Sequence, residues 1–355
     1  MTRREGDGRI RKDDSGYPDI TTLCVGYGTS GRPMSDNYKK IILVTGGAGF
    51  IGSAYLNRMV PRYPSYRFVN VDALTYAADL GNITVAEAVN YAFEKADIRD
   101  FPSLEKIFAK YAPTHVINFA AESHVDNSIT GPHIFIETNV LGTENLLECA
   151  RAAKIVRFHQ ISTDEVYGSL GPAEPSTKED APLRPRSPYS ASKAAADLVV
   201  RAYHETFGVD TVITRGSNNY GPGQHREKFM PLFIERFMAG KRAPLYGTGE
   251  NIRNWIYVDD HVEGVDAAFH KGAAGEIYNL GGADELPNIE VARMLARGLG
   301  ADEGLIEPVT DRLGHDFRYS LDSSRAARKL GWKPVTLFPD GLRATVAHYK
   351  KKLGV

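Results

Sequence analysis

Ile41-Ile-Leu-Val-Thr45 runs straight into Gly46-Gly-Ala-Gly49-Phe-Ile-Gly52, and a helix-like segment follows through Met59. A short apolar run, a glycine turn and a helix in immediate succession leave few folds open. The run reads as a strand covered on both faces. Glycines 46, 49 and 52 permit a tight turn and let backbone amides approach an anion. The helix that begins there directs its positive end at the same place. Alone, this spacing is a weak signal. A second strand, Phe68-Val-Asn-Val-Asp72, strengthens it by ending in an acid 20 residues beyond Gly52. A carboxylate there grips the ribose hydroxyls of NAD and repels the additional phosphate of NADP. NAD is therefore the expected cofactor, and the plain alternative for Asp72 is a helix cap or a solvated loop acid.

The alternation continues. Asp97-Ile98 closes a third strand and is placed to meet the adenine. His115-Val-Ile-Asn-Phe119 is a fourth strand, ending in Ala120-Ala121-Glu122-Ser123, with small residues where a cofactor must pass closely. Val156-Arg-Phe-His-Gln-Ile-Ser162 is a fifth, and it delivers Thr163, Asp164 and Glu165 to a strand's carboxyl end. Ligands of open parallel sheets bind at that edge. The expected fold class is α/β, a doubly wound parallel sheet of Rossmann type with a smaller α/β C-terminal substrate domain.

Tyr189-Ser-Ala-Ser-Lys193 comes 26 residues after Thr163 and opens an Ala-rich helix. Residues four apart share a helix face. A phenol beside an ammonium and a positively charged nicotinamide is shifted toward phenolate, so it can take a proton from an alcohol. Tyr91 and Lys95 have the same spacing but lie far in sequence from any catalytic strand end. Asp164 and Glu165 could be ordinary loop acids. Side by side in a closed site, their proton affinities can separate, leaving one as acid and one as base. An alcohol oxidant next to an acid and a base can eliminate water.

Composition narrows the alternatives. The 355 residues carry a formal charge of −1, which gives no electrostatic case for nucleic acid. Cys24 and Cys149 are the only cysteines, so a disulfide framework or a cysteine-based zinc site is not expected, and the ten histidines show no metal-ligand spacing. No stretch approaches 18 uninterrupted apolar residues. The expectation is a cytoplasmic enzyme with no nucleic-acid, membrane or metal partner. Residues 1–37 are rich in Arg, Asp, Gly and Ser and read as a flexible leader. Met34 looks like the natural start, so residues 1–33 are expected to stand outside the folded enzyme.

At this point the chain resembles a family. Thr45-Gly-Gly-Ala-Gly-Phe-Ile-Gly-Ser53, Ala120-Ala-Glu-Ser-His-Val-Asp126, Ser162-Thr-Asp-Glu-Val-Tyr-Gly168 and Tyr189-Ser-Ala-Ser-Lys193 are similar to the nucleotide-sugar 4,6-dehydratases. These are extended short-chain dehydrogenase/reductase proteins, and the resemblance is nearest to members acting on dTDP-glucose. It continues through Ser217-Asn-Asn-Tyr-Gly-Pro222, Arg253-Asn-Trp-Ile-Tyr-Val-Asp-Asp-His261, Tyr278-Asn-Leu-Gly-Gly282, Gly314-His-Asp316 and Leu330-Gly-Trp332. The chain departs from the family pattern at Asn127, Gly216, Asn254 and Leu313, where Arg, Cys, Asp and Pro are usual.

The resemblance implies that Tyr189 takes the proton of the sugar's 4-hydroxyl while carbon 4 gives hydride to NAD. Glu165 then removes the proton on carbon 5 and Asp164 protonates the hydroxyl leaving carbon 6. Thr163 holds the 4-oxygen, and Lys193 lowers the Tyr189 pKa and holds the nicotinamide ribose. The implied cofactor set is Gly46, Gly49, Phe50, Ile51, Gly52, Asp72, Asp97, Ile98, Ala120, Ala121, Ser123, Tyr189 and Lys193. The implied nucleotide-sugar clamp is Ser123, His124, Asn218, Lys228, Pro244, Tyr246, Arg253, Asn288, His315 and Tyr319. Implied domains are 38–215 for NAD and 216–355 for the nucleoside-diphosphate sugar, with 252–282 partly returning to the first. A homodimer through the helices around Thr138–Ala153 and Ser190–Phe207 is also implied. A 4-epimerase or decarboxylase would share Tyr189, Lys193 and NAD without needing Asp164-Glu165. A non-catalytic NAD-responsive protein is the alternative from a different class.

Overall fold

The computed structural model describes residues 38–354; the expected leader, residues 1–37, lies outside the described residues. The strands are β1 (Lys40–Thr45), β2 (Tyr66–Asp72), β3 (Tyr91–Lys95), β4 (His115–Asn118), β5 (Arg157–Thr163), β6 (Thr211–Gly216), β7 (Asn218–Tyr220), β8 (Ala243–Tyr246), β9 (Ile252–Tyr257), β10 (Ile277–Leu280), β11 (Asp284–Pro287) and β12 (Ile306–Val309). Seven form one parallel sheet in the order β10-β6-β5-β4-β1-β2-β3. The order reverses between β1 and β4, so a crevice opens above their carboxyl ends.

Both faces of this sheet are covered, which explains the unbroken apolar run of β1. The longer helices used below are α1 (Phe50–Arg62), α2 (Phe101–Tyr111), α3 (Gly142–Ala152), α4 (Pro188–Phe207), α5 (Phe229–Met238), α6 (Val258–Lys271), α7 (Asn288–Leu299) and α8 (Phe338–Leu353). Ile42 and Val44 pack with Leu56 and Met59 of α1 and with Val262 and Phe269 of α6. Leu43 points the other way, into Leu104 of α2, Leu146 of α3 and Val200 of α4. A strand with period-two side chains and two dry faces must be apolar at every position.

A second lobe has its own core. β9 lies between β7, which is parallel to it, and β11, which is antiparallel. Trp255 packs with Phe233 of α5, Leu295 of α7 and Phe338 of α8. Residues 252–282, expected to return in part to the NAD domain, divide between the lobes. β10 joins the edge of the large sheet and α6 covers its face, whereas β9 is the middle strand of the small sheet. Ile256 still reaches the large core, because alternate residues of β9 face opposite ways.

The start of α4 is fixed by chemistry local to it. Ser187 accepts from Ser190 N and Ser190 reaches back to Ser187 N, a reciprocal capping box, and Pro188 occupies the first turn. Gly208, in left-handed conformation, ends the helix. Tyr189, Lys193 and Asp197 then fall on one buried stripe. The other Tyr–Lys pair, Tyr91 and Lys95, lies in strand β3. Among the described residues no helix is long and apolar enough to cross a membrane, and no cluster of three His, Cys, Asp or Glu could hold a metal ion.

Candidate active site

The glycine turn after β1 is built against β4. Gly46 has φ +69°, and a Cβ there would stand 2.5 Å from Ala120 N. A Cβ on Gly52 would be 2.3 Å from Gly46 O, so this residue lets α1 close on the turn. Gly49 is different. Its nearest neighbour would be Gly46 O at 3.3 Å, so the space it leaves belongs chiefly to the cleft. Asp72, at the end of β2, accepts from Ala48 N at 2.9 Å and Leu74 N at 2.8 Å. Each carboxylate oxygen keeps a second lone pair for a ribose hydroxyl. Every residue of the expected cofactor set lines this one cleft. Asp97 meets it already held by the Arg99 guanidinium, at 2.6 Å, which keeps the carboxyl below its usual range.

At the far end of the cleft stand Thr163, Asp164, Glu165, Tyr189 and Lys193. β5 ends on Thr163, whose hydroxyl accepts from Glu165 N at 3.3 Å and caps the single turn Asp164–Tyr167. That turn places both carboxyls at the strand's end. Lys193 donates to Ile161 O at 2.7 Å and is fully buried. Burial pushes its ammonium down to about 8, opposed by the Asp197 carboxylate one turn later. The Tyr189 phenol is pushed upward, by burial first and the Glu165 carboxylate second, with a hydrogen bond to Thr163 acting the other way. Lys193 was expected to lower it, but within the protein its charge is directed at the Ile161 carbonyl.

The two adjacent carboxyls are treated differently by their surroundings. Asp164 is 3% exposed, and burial, then the neighbouring Glu165, push it up to about 8. Glu165 is also raised by burial, but Arg312, Arg253 and Lys228 all pull against that shift. Burial therefore favours the protonated form of Asp164, while three cations oppose the upward shift of Glu165.

The expected clamp is brought together only in part. Ser123, Asn218 and Lys228 line the cleft; His124, Pro244, Tyr246, Arg253, Asn288, His315 and Tyr319 do not. Arg253 donates to the carbonyls of Ile252, Phe317 and Asp316 and lies 4.5 Å over the Tyr319 ring. Tyr319 donates to Asp316, and His315 Nδ1 is 2.6 Å from Asp311. Tyr246, in β8, donates to Asp126 at 2.9 Å. Asn288 is the first residue of α7, with its amide on Asn251 O. Arg253 meets Tyr319 and Tyr246 meets His315, while the charge of Arg253 acts on Glu165 through space.

Several residues that the sequence reading passed over also line the cleft: Thr138, Ser162, Gln224, His225 and His261. Thr138 sits in a π-turn, Glu137–Leu141, that interrupts the expected continuous helix. The extra residue turns Asn139 inward, where it binds both the N–H and C=O of Glu122 and donates to Ser192 Oγ of α4. A lone Asn in a helical pattern carries no sequence signal for such a clamp. Ser162 Oγ, Asp164 Oδ2, Asn218 Oδ1 and His261 Nε2 are buried in the cleft with no hydrogen-bond partner among the described residues. Together with the glycine cradle and Asp72, these atoms fit a polar dinucleotide.

A model of the family described as GDP-mannose 4,6 dehydratase matches residues 43–345. The chain belongs to this family. Relatives named dTDP-glucose 4,6-dehydratase in this family include one from Neisseria meningitidis serogroup B, 47% identical over 87% of this chain and 92% of that protein. Another, from Streptomyces griseus, is 48% identical over 87% of this chain and 94% of its own length. A solved dTDP-glucose 4,6-dehydratase of Streptomyces venezuelae with NAD bound superposes with TM-score 0.85 and 46% identity. It covers 88% of this chain and 98% of that one. A UDP-glucose 4-epimerase from Thermotoga maritima shares the fold at TM-score 0.82 and 30% identity, covering 88% and 99%. The dehydratase family thus has the Rossmann-type parallel sheet expected from the sequence, and NAD is its cofactor.

Proposed function

We propose that this protein dehydrates a nucleoside-diphosphate glucose, dTDP-glucose foremost, to the 4-keto-6-deoxy sugar. The observation that carries the reading is the divided carboxyl pair, Asp164 protonated and Glu165 facing three cations, in the same cleft as Tyr189 and Lys193. Tyr189 accepts the proton of the 4-hydroxyl, and Thr163 hydrogen-bonds the 4-oxygen. When bound, NAD supplies the acceptor for hydride from carbon 4 and the donor that returns it to carbon 6. Glu165 removes the proton on carbon 5, which the new ketone acidifies, and Asp164 protonates the oxygen leaving carbon 6. Glu165 then returns its proton to carbon 5. Tyr189 has gained the proton that Asp164 has lost, so one exchange between them through solvent resets the site. The positive charge that brings the Tyr189 phenol into range comes with the oxidised nicotinamide, since burial and Glu165 both oppose it.

The relatives' names and the positive set of Lys228, Arg253 and Arg312 around Glu165 support a diphosphate-bearing substrate. An epimerase shares the fold, so fold alone does not discriminate; the acid–base pair favours dehydration. The test is to incubate the protein with dTDP-glucose and, separately, UDP-glucose, and follow product mass alongside NADH absorbance. Loss of one water without net NADH supports the reading and ranks the bases. An unchanged mass with inverted carbon 4 means an epimerase.

The protonation of Asp164 sets a pH dependence. A group raised to about 8 is protonated below that pH and loses its proton above it. Lys193, lowered to about 8, loses its charge in the same range. Turnover should therefore fall on the alkaline side, by about tenfold or more per pH unit above 8. A profile flat to about pH 9.5 would remove Asp164 as the acid.

We also propose self-association through α4 and the neighbouring π-turn. Leu141 of the π-turn, Leu198 of α4 and Ile136 just before the π-turn are exposed large aliphatics, and the two elements pack together. Sedimentation should show a dimer that Leu141→Glu with Leu198→Glu converts to monomer; an unaltered mass would place the contact elsewhere.

A further inference from the structure

Gly216 is the last residue of β6 and has no left-handed φ, so the backbone does not demand glycine there. A side chain there would meet His261. A Cβ on Gly216 would stand 2.7 Å from His261 Nε2 and 2.8 Å from its Cε1. His261 lies in the first turn of α6 and is 1% exposed. Its tautomer follows from a chain of hydrogen bonds. Asn219 Nδ2 donates to Ser217 O at 2.9 Å, which turns the amide oxygen of Asn219 toward the imidazole. Nδ1 of His261 is 2.9 Å from that oxygen. An amide oxygen only accepts, so Nδ1 carries the proton and Nε2 is left with a lone pair. Burial pushes the imidazole down to about 4, so it is neutral across the physiological range.

Nε2 has no partner among the described residues, and both His261 and Gly216 line the cleft where Tyr189 and Lys193 stand. A buried acceptor calls for a donor. The ring that exchanges hydride must lie beside Tyr189, and its one N–H donor is the carboxamide. We propose that His261 is a cofactor-positioning residue whose Nε2 accepts a hydrogen bond from the nicotinamide carboxamide, with Asn219 and Ser217 holding the imidazole and Gly216 leaving it room. The contact sets the rotation of the ring about its glycosidic bond, and so which face meets the sugar. This rests on NAD occupying the cleft and is independent of which sugar is dehydrated.

The test compares NAD with ADP-ribose, which lacks the nicotinamide, by calorimetric titration of the full-length protein freed of nucleotide. His261→Phe should weaken NAD by about three- to tenfold, the worth of one neutral hydrogen bond, and leave ADP-ribose unchanged. His261→Gln, which offers an amide oxygen near the position of Nε2, should recover most of the difference. Gly216→Ala pushes on the imidazole without touching its chemistry, and should lower NAD affinity selectively in the same way. Unchanged NAD affinity in both His261→Phe and Gly216→Ala overturns the proposal. So does an equal loss of NAD and ADP-ribose, which marks a structural role. Failure of the unaltered protein to bind NAD would instead remove the cofactor from the cleft.

Discussion

Glu165→Gln should oxidise its sugar and stop. The amide keeps the volume of the side chain but cannot take the proton from carbon 5. Product formation should fall by about a hundred- to ten-thousand-fold, the usual contribution of a positioned base. NADH should then stand near one equivalent per site instead of passing unseen. The electrostatics sharpen the expectation. The Glu165 carboxylate is the second cause, after burial, of the raised Tyr189 phenol, and also of the raised Asp164 carboxyl. Removing it lowers both, so the oxidation step should persist at lower pH than in the unaltered protein. Single-turnover absorbance across a pH series reads both effects. Full dehydration by Glu165→Gln would remove Glu165 as the base.

Tyr189→Phe should fail one step earlier, with no NADH at any pH. Loss of the phenol removes the acceptor for the 4-hydroxyl proton, again about a hundred- to ten-thousand-fold. The fold should survive. Tyr189 is 8% exposed and its ring meets Phe135 edge-on at 6.3 Å, a contact that phenylalanine keeps. An unshifted melting curve beside lost NADH formation separates chemistry from folding. Normal turnover in this variant would overturn the role of Tyr189. The pair of variants also divides the two halves of the reaction, since only Glu165→Gln should colour on addition of sugar.

The cofactor end of the cleft was readable from sequence because its parts are local. Gly46, Gly49 and Gly52 lie within one turn, and Asp72 ends the adjacent strand β2. Tyr189 and Lys193 share a helix face by spacing alone, and Tyr91 and Lys95 show the limit of that signal, since a strand carries them. The clamp was less readable. Pro244 and Tyr246 of β8, Asn288 of α7 and His315 come from three separate segments, and their placement depends on how β8, α7 and the 311–316 segment pack. The resemblance placed Arg253 in the clamp, and three main-chain carbonyls accept from its guanidinium.

By itself the sequence determined the strand–turn–helix cradle, the acid that ends β2, and the Tyr189–Lys193 and Asp164–Glu165 pairs. Each follows from backbone geometry over a few residues, where spacing in sequence is spacing in space. Only the tertiary structure decided how differently the two carboxyls are surrounded. Burial raises Asp164, while Lys228, Arg253 and Arg312, more than 60 residues away along the chain, bring opposing charge to Glu165. It also decided that His261 lies against Gly216 with one nitrogen unpartnered. Desolvation and Coulomb forces act across distance, and distances between remote segments exist only once the chain has folded.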